Sequence, residues 1–442
     1  ANVLIYERTK EELRKGLHIK EALNQGYANA FSAIFDSNLT SLITGIILYV
    51  FGTGPIRGFA TTLIIGICVS FFTAVFMTRL VYDRQMKHDK WQNLTFTTSF
   101  SKNLMQGTHF NFMGAYKTSY TVWIAAAVVF VLCFFVRGLD QSIDFTGGRN
   151  YVVTLDKEVP VEDVRSLVSN VFTEDDGSVA YTSVIALGAS SEKTVRISTN
   201  WKITSNDPAV DDQAENVLFN TLKDAGLISQ ESVESFKNPD VREGGSIIES
   251  SKVGPSIAKT ITRGAIISVI LALIAIFLYI LLRFRNVAFS VGSIVALAFD
   301  ALVVIGFYSL LHHIVPWSLE VDQTFIGAIL TVIGYSINDK VVVFDRIREN
   351  IGLYGKRDRQ TLFNDSLNQT LARTINTSVT TLIVLLAIFI LGGDSIRSFS
   401  FAMILGVVFG TLSSIFIAAP VAYLTMGRTI KEDEAVQAST KK

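Results

Sequence analysis

The segment Phe325-Ile-Gly-Ala-Ile-Leu-Thr-Val-Ile-Gly-Tyr-Ser-Ile-Asn-Asp-Lys-Val-Val-Val-Phe344 is apolar except for a short polar run that contains Asp339. A helix of roughly 20 apolar residues spans the hydrocarbon core of a bilayer, which is about 30 Å thick. An ionisable side chain inside such a helix is costly to bury and usually serves a function. The segment therefore predicts a membrane helix that carries a functional carboxylate.

Apolar stretches on both sides of this segment also have the composition of membrane helices. The shortest one begins among polar residues. Together they predict an α-helical polytopic membrane protein. The stretches are Leu39–Phe51, Phe59–Leu80, Val122–Val136, Ala265–Leu282, Ala288–Leu311, Thr377–Leu391 and Phe399–Leu424.

The charged residues sort the connections into two sets. Loops rich in Lys and Arg stay on the cytoplasmic side, and Glu7–Lys20, Arg79–Lys117 and Arg346–Arg373 are of this kind. The long connection Leu139–Arg263 is acidic, which predicts an outer, periplasmic domain and cytoplasmic ends of the chain. The net charge of zero argues against a nucleic-acid partner. No residue grouping indicates a metal site, a cofactor or a catalytic nucleophile.

The outer segment has the pattern of a small α/β domain. Tyr151–Leu155 and Thr194–Ser198 alternate like strands, and Val161–Val171 and Asp211–Leu227 have helical periodicity. A βαβ-type, ferredoxin-like arrangement fits this order. The glycine pair in Asp144-Phe-Thr-Gly-Gly148 predicts a tight turn or a close backbone approach with a structural role.

These patterns divide the chain into successive parts, the first of which has the character of the last turns of a membrane helix. We therefore expect the chain to be truncated at its N-terminus. The parts are the end of a membrane helix (1–6), a cytoplasmic segment (7–36), two membrane helices (37–82), a cytoplasmic linker (83–119), one membrane helix (120–138), the outer domain (139–263), five membrane helices (264–426) and a cytoplasmic tail (427–442).

Two parts of the chain resemble each other, as in many transporters. The matching residues are mostly polar or Gly, and both units have the same orientation. This predicts a parallel repeat with a seam for ions or substrate between its halves. The pairs are Val3–Arg8 with Val341–Arg346, Asn38–Ile43 with Ser378–Ile383, Ile56–Phe59 with Ile396–Phe399, and Gly66 with Gly406.

Asp339 and Arg373 form the main predicted site. Tyr335 lies one helical turn before Asp339 and shares its face, and Asn338 precedes it directly. Arg373 stands about one turn before an apolar stretch, so its side chain can reach the depth of Asp339. Two interpretations stay open, namely an ion relay and a static clamp between helices. Polar side chains that follow Arg373 and can hold water include Asn376, Thr377, Ser378, Thr380 and Thr381.

Other carboxylates carry weaker predictions. Asp300 lies near the middle of an apolar stretch, where it serves either as a relay or gate or as a hydrogen-bonding contact between helices. Asp36 and Asn38 stand at the start of the short stretch Leu39–Phe51. We interpret them as caps at the membrane interface.

At this point several motifs resemble those of one family, the bacterial SecD–SecF protein-export membrane proteins in their fused form. The run Gly334–Asn350 is similar to the SecF signature nearly throughout. Ala1–Arg8 resembles the end of a SecD motif, and Phe110–Gly114 resembles the start of SecF. Three further motifs are SecF-like. The first is Asp144–Gly148, which contains Phe145, Gly147 and Gly148. The others are Val253–Ser256, which contains Gly254 and Pro255, and Arg373–Ser378.

The resemblance implies a subunit that helps the SecYEG channel to export unfolded preproteins, driven by protons or sodium ions that flow inward. YajC and YidC are further expected partners, besides membrane lipid. It implies the fold of the resistance–nodulation–division superfamily and places the coupling pair on Asp339 and Arg373. It also implies a SecD-type Asp immediately before Ala1. Lys340 stands where the family often has a smaller residue, and Phe299 replaces a frequent His.

Two competing hypotheses remain. A small-molecule exporter of the same superfamily would have a far larger outer domain than 139–263. A scaffold of the translocon that does not couple to ions would have no need of Asp339 and Arg373. An enzyme has little support, because the outer loops show no pairing of a nucleophile with a base.

Overall fold

The structure is a computed structural model that describes residues 1–52, 55–88, 90–91, 94–96, 109–187, 193–205, 207, 209–241, 243–315, 317–354 and 356–427. Parts of the predicted linker 83–119 and nearly all of the tail 427–442 lie outside the described residues. The helices are α1 (Asn2–Arg14), α2 (Ile19–Phe51), α3 (Pro55–Phe72), α4 (Thr78–Lys87), α5 (Tyr116–Arg137), α6 (Ile143–Thr146), α7 (Val161–Val168), α8 (Ala209–Asp224), α9 (Val233–Lys237), α10 (Pro255–Phe284), α11 (Val287–Leu311), α12 (Gln323–Leu353), α13 (Arg359–Leu391) and α14 (Asp394–Ser413).

Eight helices in the described part are long and apolar enough to cross a membrane. They coincide with the eight stretches that the sequence predicts, so the polytopic organisation is confirmed. α12 is the most deeply buried of them, and it lies among α2, α11, α13 and α14. The chain thus folds as a helical bundle around one central helix.

The helices do not stop where the apolar stretches stop. α2 begins at Ile19, whereas the sequence places the start of this span near Leu39. The extra turns stay helical because they pack on α1 through a separate apolar cluster that includes Ile5, Leu23 and Tyr27. Much of the predicted segment 7–36 is therefore helix.

The predicted repeat is visible in the structure. α2 and α13 are each 33 residues long and begin at Ile19 and Arg359, an offset of 340 residues. The spans Ile56–Lys87 and Ile396–Gly427 are each 32 residues long with the same offset. Both contain one wider π-helical turn, at Thr73–Met77 in the first copy and at Ser414–Ala418 in the second. The two halves share one helical plan.

The outer domain is a four-stranded antiparallel sheet with strand order β2-β3-β1-β4. Its elements follow the order βαββαβ, with one short extra helix, α9, which confirms the ferredoxin-like prediction. The sequence analysis did not identify β2 and β4, and most of β4 is exposed and polar, without the alternation of a half-buried strand. The strands are β1 (Gly148–Thr154), β2 (Thr182–Ala186), β3 (Thr194–Thr199) and β4 (Ser246–Val253).

The glycine pair at the start of β1 joins this sheet to the membrane helices. Gly147 has a φ of +84°, which favours glycine. A Cβ atom on Gly147 would lie 3.2 Å from the Val253 carbonyl oxygen and 3.5 Å from Pro255 Cα. Pro255 occupies the first turn of α10, where its missing N–H costs nothing. The close approach therefore lets both connections between sheet and membrane run side by side.

Replacement of Gly148 by Ala should destabilise this junction. The added Cβ would lie 2.6 Å from the Thr199 carbonyl oxygen and would overlap the Ile143 side chain, so we expect a loss of about 1–3 kcal/mol of unfolding free energy. Thermal unfolding of the purified protein in detergent measures it. Gly254→Ser is the matched control, because a Cβ there meets nothing within 4 Å and Ser is a preferred N-cap residue. Equal melting temperatures for Gly148→Ala and wild type would refute the argument.

The outer domain also rests on the loop between α11 and α12. The Ser183 hydroxyl of β2 donates to a Glu320 carboxylate oxygen at 3.2 Å, and the Tyr181 hydroxyl donates to Asp140 at 2.7 Å. Backbone bonds join Val321 N–H to the Asp140 carbonyl oxygen and Ser142 N–H to the Val321 carbonyl oxygen. Only 4% of Glu320 is exposed. We call these contacts the outer seam.

Burial raises the pKa of the Glu320 carboxyl from its ordinary 4.5 to about 7. Asp140 and Asp322 add to the rise, while the Arg196 guanidinium and the Ser183 hydroxyl oppose it. A carboxyl whose pKa is raised in the folded state stabilises that state below pH 4.5, and this contribution is lost as the pH rises through about 7.

Glu320→Gln should therefore remove part of the pH dependence of stability. We expect wild type to lose about 3 kcal/mol more than the variant between pH 4.5 and pH 8, as measured by thermal unfolding at each pH. Glu158→Gln, which changes an exposed carboxylate of the same domain, should behave like wild type. Parallel pH profiles for wild type and Glu320→Gln would show that the buried carboxyl does not titrate in this range.

Candidate functional site

Asp339 lies at the junction of three helices. It is 8% exposed, and its carboxylate accepts a hydrogen bond from the Thr411 hydroxyl of α14 at 3.3 Å. The hydroxyls of Thr411 and Ser378 lie 2.5 Å apart, which brings α13 to the same point. Ser378, one of the predicted site residues, thus reaches Asp339 through Thr411, a residue that the sequence analysis did not identify.

A cavity of about 210 Å³ opens beside Asp339. It brings together most of the predicted site, with one wall from α12, one from α13 and one from the first repeat. This volume has room for several water molecules. The lining residues are Ala1, Val3, Leu4, Ser37, Tyr335, Asn338, Asp339, Val342, Arg373, Thr374, Thr377, Thr380 and Thr381.

Arg373 shares this cavity with Asp339 but does not clamp it. Within the described residues the two side chains form no direct ion pair, and Arg373 Nη2 is buried with no protein hydrogen-bond partner there. Asn338 Oδ1 is likewise buried and unpartnered among the residues that the structure describes. Buried polar groups are nearly always hydrogen-bonded to protein or water. The cavity therefore presents unsatisfied donors and acceptors next to a carboxylate.

Tyr335 borders the same space, as its position one turn before Asp339 predicts. Its hydroxyl lies 2.9 Å from the Thr381 hydroxyl and donates to the Thr377 carbonyl oxygen at 3.3 Å. These contacts tie α12 to α13 on the outer side of Asp339. The wall of the cavity thus includes several hydroxyl groups, among them those of Tyr335, Thr377 and Thr381.

Asp300 is not among the residues that line this cavity, and it contacts α12 through Lys340 and Ser336. It forms an ion pair with Lys340, whose Nζ is 2.8 Å from Asp300 Oδ2, and both side chains are 0% exposed. The Ser336 hydroxyl donates to the same carboxylate oxygen at 2.6 Å. Among the alternatives for Asp300, the geometry thus favours a contact between helices. Lys340 was not among the predicted site residues, although a Lys inside an apolar span requires a buried carboxylate nearby.

The interpretation of Asp36 as a helix cap is wrong. Asp36 lies inside α2 and accepts from Arg283 Nε at 2.5 Å and from the Tyr279 hydroxyl at 2.7 Å, both on α10. Asn38 is also inside α2, where its side chain donates to the Ile34 carbonyl oxygen. The physical reason is that α2 continues for several turns before these residues. Asp36 therefore joins the first repeat to α10 by a charged contact.

The remaining predicted residues, Phe145, Gly147, Gly148, Gly254 and Pro255, gather at the junction of sheet and membrane helices. They do not line the cavity. Phe145 packs against the apolar core of the helical bundle. Their placement agrees with the structural role that the sequence indicates.

Small residues let α14 lie close to α12. A Cβ on Gly406 would lie 2.8 Å from Val332 Cβ, and a Cβ on Gly410 would lie 2.5 Å from Ser336 Oγ. Close helix packing at small residues is typical of membrane bundles. The equivalent of Gly406 in the first repeat is Gly66, where a Cβ would meet nothing within 4 Å.

Gly406→Ala should therefore force α14 away from α12 and lower the unfolding free energy by about 1–3 kcal/mol. Gly66→Ala makes the same chemical change at the equivalent position of the repeat and should leave stability nearly unchanged. Thermal unfolding in detergent compares the two. A similar shift in both variants would mean that the loss arises from helix backbone effects and not from the contact.

A duplicated helical bundle with ionisable groups buried where its repeats meet is the architecture of a membrane transport protein. Comparisons with known proteins narrow this class to a family. The family model of the C-terminal region of the protein export membrane proteins SecD/SecF matches residues 1–87 and 234–428. That of the SecD/SecF GG motif matches residues 134–159. The chain belongs to the SecD/SecF family of protein export membrane proteins.

Individual relatives with similar sequences are members of the same family. The protein translocase subunit SecDF of Thermus thermophilus is 34% identical, over 99% of this chain and 54% of that protein. SecDF of Bacillus subtilis is 32% identical, over 98% of this chain and 56% of that protein. The subunit SecF of Rhodothermus marinus is 35% identical, over 72% of this chain and 94% of that protein. The chain thus spans about half the length of the SecDF relatives and matches the fused form across the SecD and SecF parts.

A solved structure shows the same fold. The crystal structure of SecDF from Thermus thermophilus, described as a translocon-associated membrane protein, superposes with a TM-score of 0.75 at 32% identity. The match covers 96% of this chain and 52% of that one. A second SecDF structure, in a super-membrane-facing form, gives a TM-score of 0.70. Family and helices together make this a multi-pass membrane protein of the bacterial inner membrane.

Proposed function

We propose that this chain is part of an accessory subunit of the Sec translocon that uses an ion gradient to complete the export of unfolded preproteins. Membership of the SecD/SecF family supports the role in protein export. The observation that carries the ion coupling is Asp339, a buried carboxylate next to a polar cavity that also holds an unpartnered cationic nitrogen of Arg373. The subunit acts beside the SecYEG channel, with YajC and YidC as further partners, and is no enzyme.

The geometry suits a carboxylate that changes its charge. An ionised carboxylate in a low-dielectric interior is costly unless a cation or hydrogen bonds compensate it. Within the described residues Asp339 accepts one side-chain hydrogen bond, from Thr411, and Arg373 lines the same cavity. A proton taken up from the cavity removes the negative charge and with it the attraction to Arg373. Each cycle of uptake and release therefore changes the force between α12 and α13.

The charges of the connecting segments support one orientation of the chain in the membrane. Basic segments flank the inner ends of the helices, and the acidic outer domain lies at the opposite end. We infer that both ends of the chain are cytoplasmic and that residues 139–263 are periplasmic. Ions would then reach Asp339 from the periplasm and leave toward the cytoplasm, while the outer domain faces the emerging preprotein.

Asp339→Asn in the native protein should abolish the response of export to a gradient. The test reconstitutes the protein with SecYEG in vesicles and follows the late stage of preprotein export with and without an imposed proton or sodium gradient. We expect the gradient to accelerate export in wild type but not in Asp339→Asn, because Asn has no charge to change.

Asp83→Asn is the control, since it removes a carboxylate that is 51% exposed on α4, and it should respond like wild type. A full response of Asp339→Asn would contradict ion coupling at this residue. That outcome would favour the alternative of an ion-independent scaffold. A gradient-driven efflux of small molecules without any effect on export would instead favour the exporter.

A further inference from the structure

The ammonium group of Lys340 is held by three oxygen atoms. Its Nζ lies 2.8 Å from Asp300 Oδ2, 2.5 Å from Ser336 Oγ and 3.3 Å from the Ser336 carbonyl oxygen. An ammonium has three N–H donors and no acceptor, so this arrangement uses its full capacity. Lys340 and Asp300 are both 0% exposed. The group is thus enclosed in a small shell of oxygens between α11 and α12.

These oxygens are of the kinds that hard metal cations select. Carboxylate, hydroxyl and carbonyl oxygens are the usual protein ligands of such ions. In this chain the position among them is taken by a cation that is covalently attached to α12. The Ser336 hydroxyl accepts from Lys340 and donates to Asp300, so the three groups form a closed hydrogen-bonded set. Lys340 therefore neutralises Asp300 without any ion from solution.

A mobile metal cation cannot be added to this shell at low cost. It would lie beside the ammonium in a buried, low-dielectric place, where the repulsion between like charges is strong. Asp300 Oδ1 is buried without a hydrogen-bond partner within the described residues, yet it belongs to a carboxylate whose charge is already compensated. Only removal of Lys340 would leave a carboxylate, a hydroxyl and a carbonyl oxygen with a net negative charge.

Asp339 is the neighbouring residue on the same helix, and 3.6 residues per turn place it about 100° around the helix axis from Lys340. It directly precedes Lys340 and contacts Thr411 of α14, whereas Lys340 contacts Asp300 of α11. Its cavity contains Arg373, so a metal ion there would also lie near a fixed cation. A proton differs from a metal ion because it binds covalently to one carboxylate oxygen and needs no coordination shell.

We propose that Lys340 determines the ion specificity of the chain, with its ammonium group permanently occupying the place at Asp300 that a sodium ion would take. Both carboxylates of the bundle centre then have a resident cation nearby, and protons are the ions that Asp339 exchanges. The meaning of this specificity for export rests on the proposed function. The exclusion of sodium from Asp300 is a property of the folded chain alone.

The test measures sodium binding by thermal unfolding of the purified protein in detergent, in sodium chloride and in choline chloride at equal ionic strength. A ligand that binds only the folded state raises the melting temperature. Wild type should melt at the same temperature in both salts. Lys340→Ala should melt several degrees higher in sodium chloride, and the double variant Asp300→Asn/Lys340→Ala should lose this difference.

Two results would overturn the proposal. One is a sodium-specific stabilisation of wild type that Asp300→Asn removes, because the shell would then admit sodium despite Lys340. The other is a folded Lys340→Ala protein that melts equally in both salts. If Lys340→Ala does not accumulate, Lys340→Ser, which restores a polar group, replaces it with the same expected results.

This experiment is independent of export. If Asp339→Asn leaves gradient-driven export intact while the sodium results hold, the proposed function fails and the role of Lys340 at Asp300 stands. If export depends on Asp339 while Lys340→Ala shows no sodium response, the specificity inference fails alone. In vesicles, wild-type export should respond to a proton gradient equally in sodium and in choline salts.

Discussion

A charge inside a membrane protein must be compensated, and this constraint organises the bundle. Asp300 and Lys340 satisfy this constraint as a closed ion pair with no exposed surface. Asp36 and Arg283 satisfy it with an ion pair near the C-terminal end of α10. Asp339 and Arg373 line one cavity without a direct ion pair between them in the described part of the chain. Buried pairs are costly to break by removal of one partner, so the first two contacts fix helices, whereas Asp339 and Arg373 form no such pair within the described residues.

α12 connects the polar centre to the outer domain. Its N-terminal end follows the Glu320 loop, and its middle carries Asp339 and Lys340. The Asp322 carboxylate caps this end by accepting from the Phe325 N–H at 2.9 Å. A displacement of α12 along its axis would therefore shift the outer seam, where Ser183 contacts Glu320. One continuous helix thus connects the buried charges of the bundle to the loop on which the outer domain rests.

The sequence alone was sufficient to predict the features that repeat along the chain. Hydropathy located the eight spans, and matched polar residues revealed the repeat, because both signals are local. Charged contacts were harder to predict. Asp36 and Arg283 are 247 residues apart in sequence, so nothing near Asp36 indicated a partner, and its role as a cap was a wrong interpretation. The sequence shows that Lys340 replaces a residue that is often smaller in the family. Its pairing with Asp300 could not be predicted, because it depends on how α11 packs on α12. Strand β4 was not predicted because most of it is exposed and polar and lacks the alternation of a half-buried strand.

The π-helical turns at Thr73–Met77 and Ser414–Ala418 occur at matching places in the two copies of the repeat. Such a turn accommodates one more residue than an α-helical turn, so each copy contains the same local excess of chain. The offset of 340 residues between the two spans is the same at their first and last residues. Because both copies contain the turn, the residues that follow it keep equivalent rotational positions in the two copies.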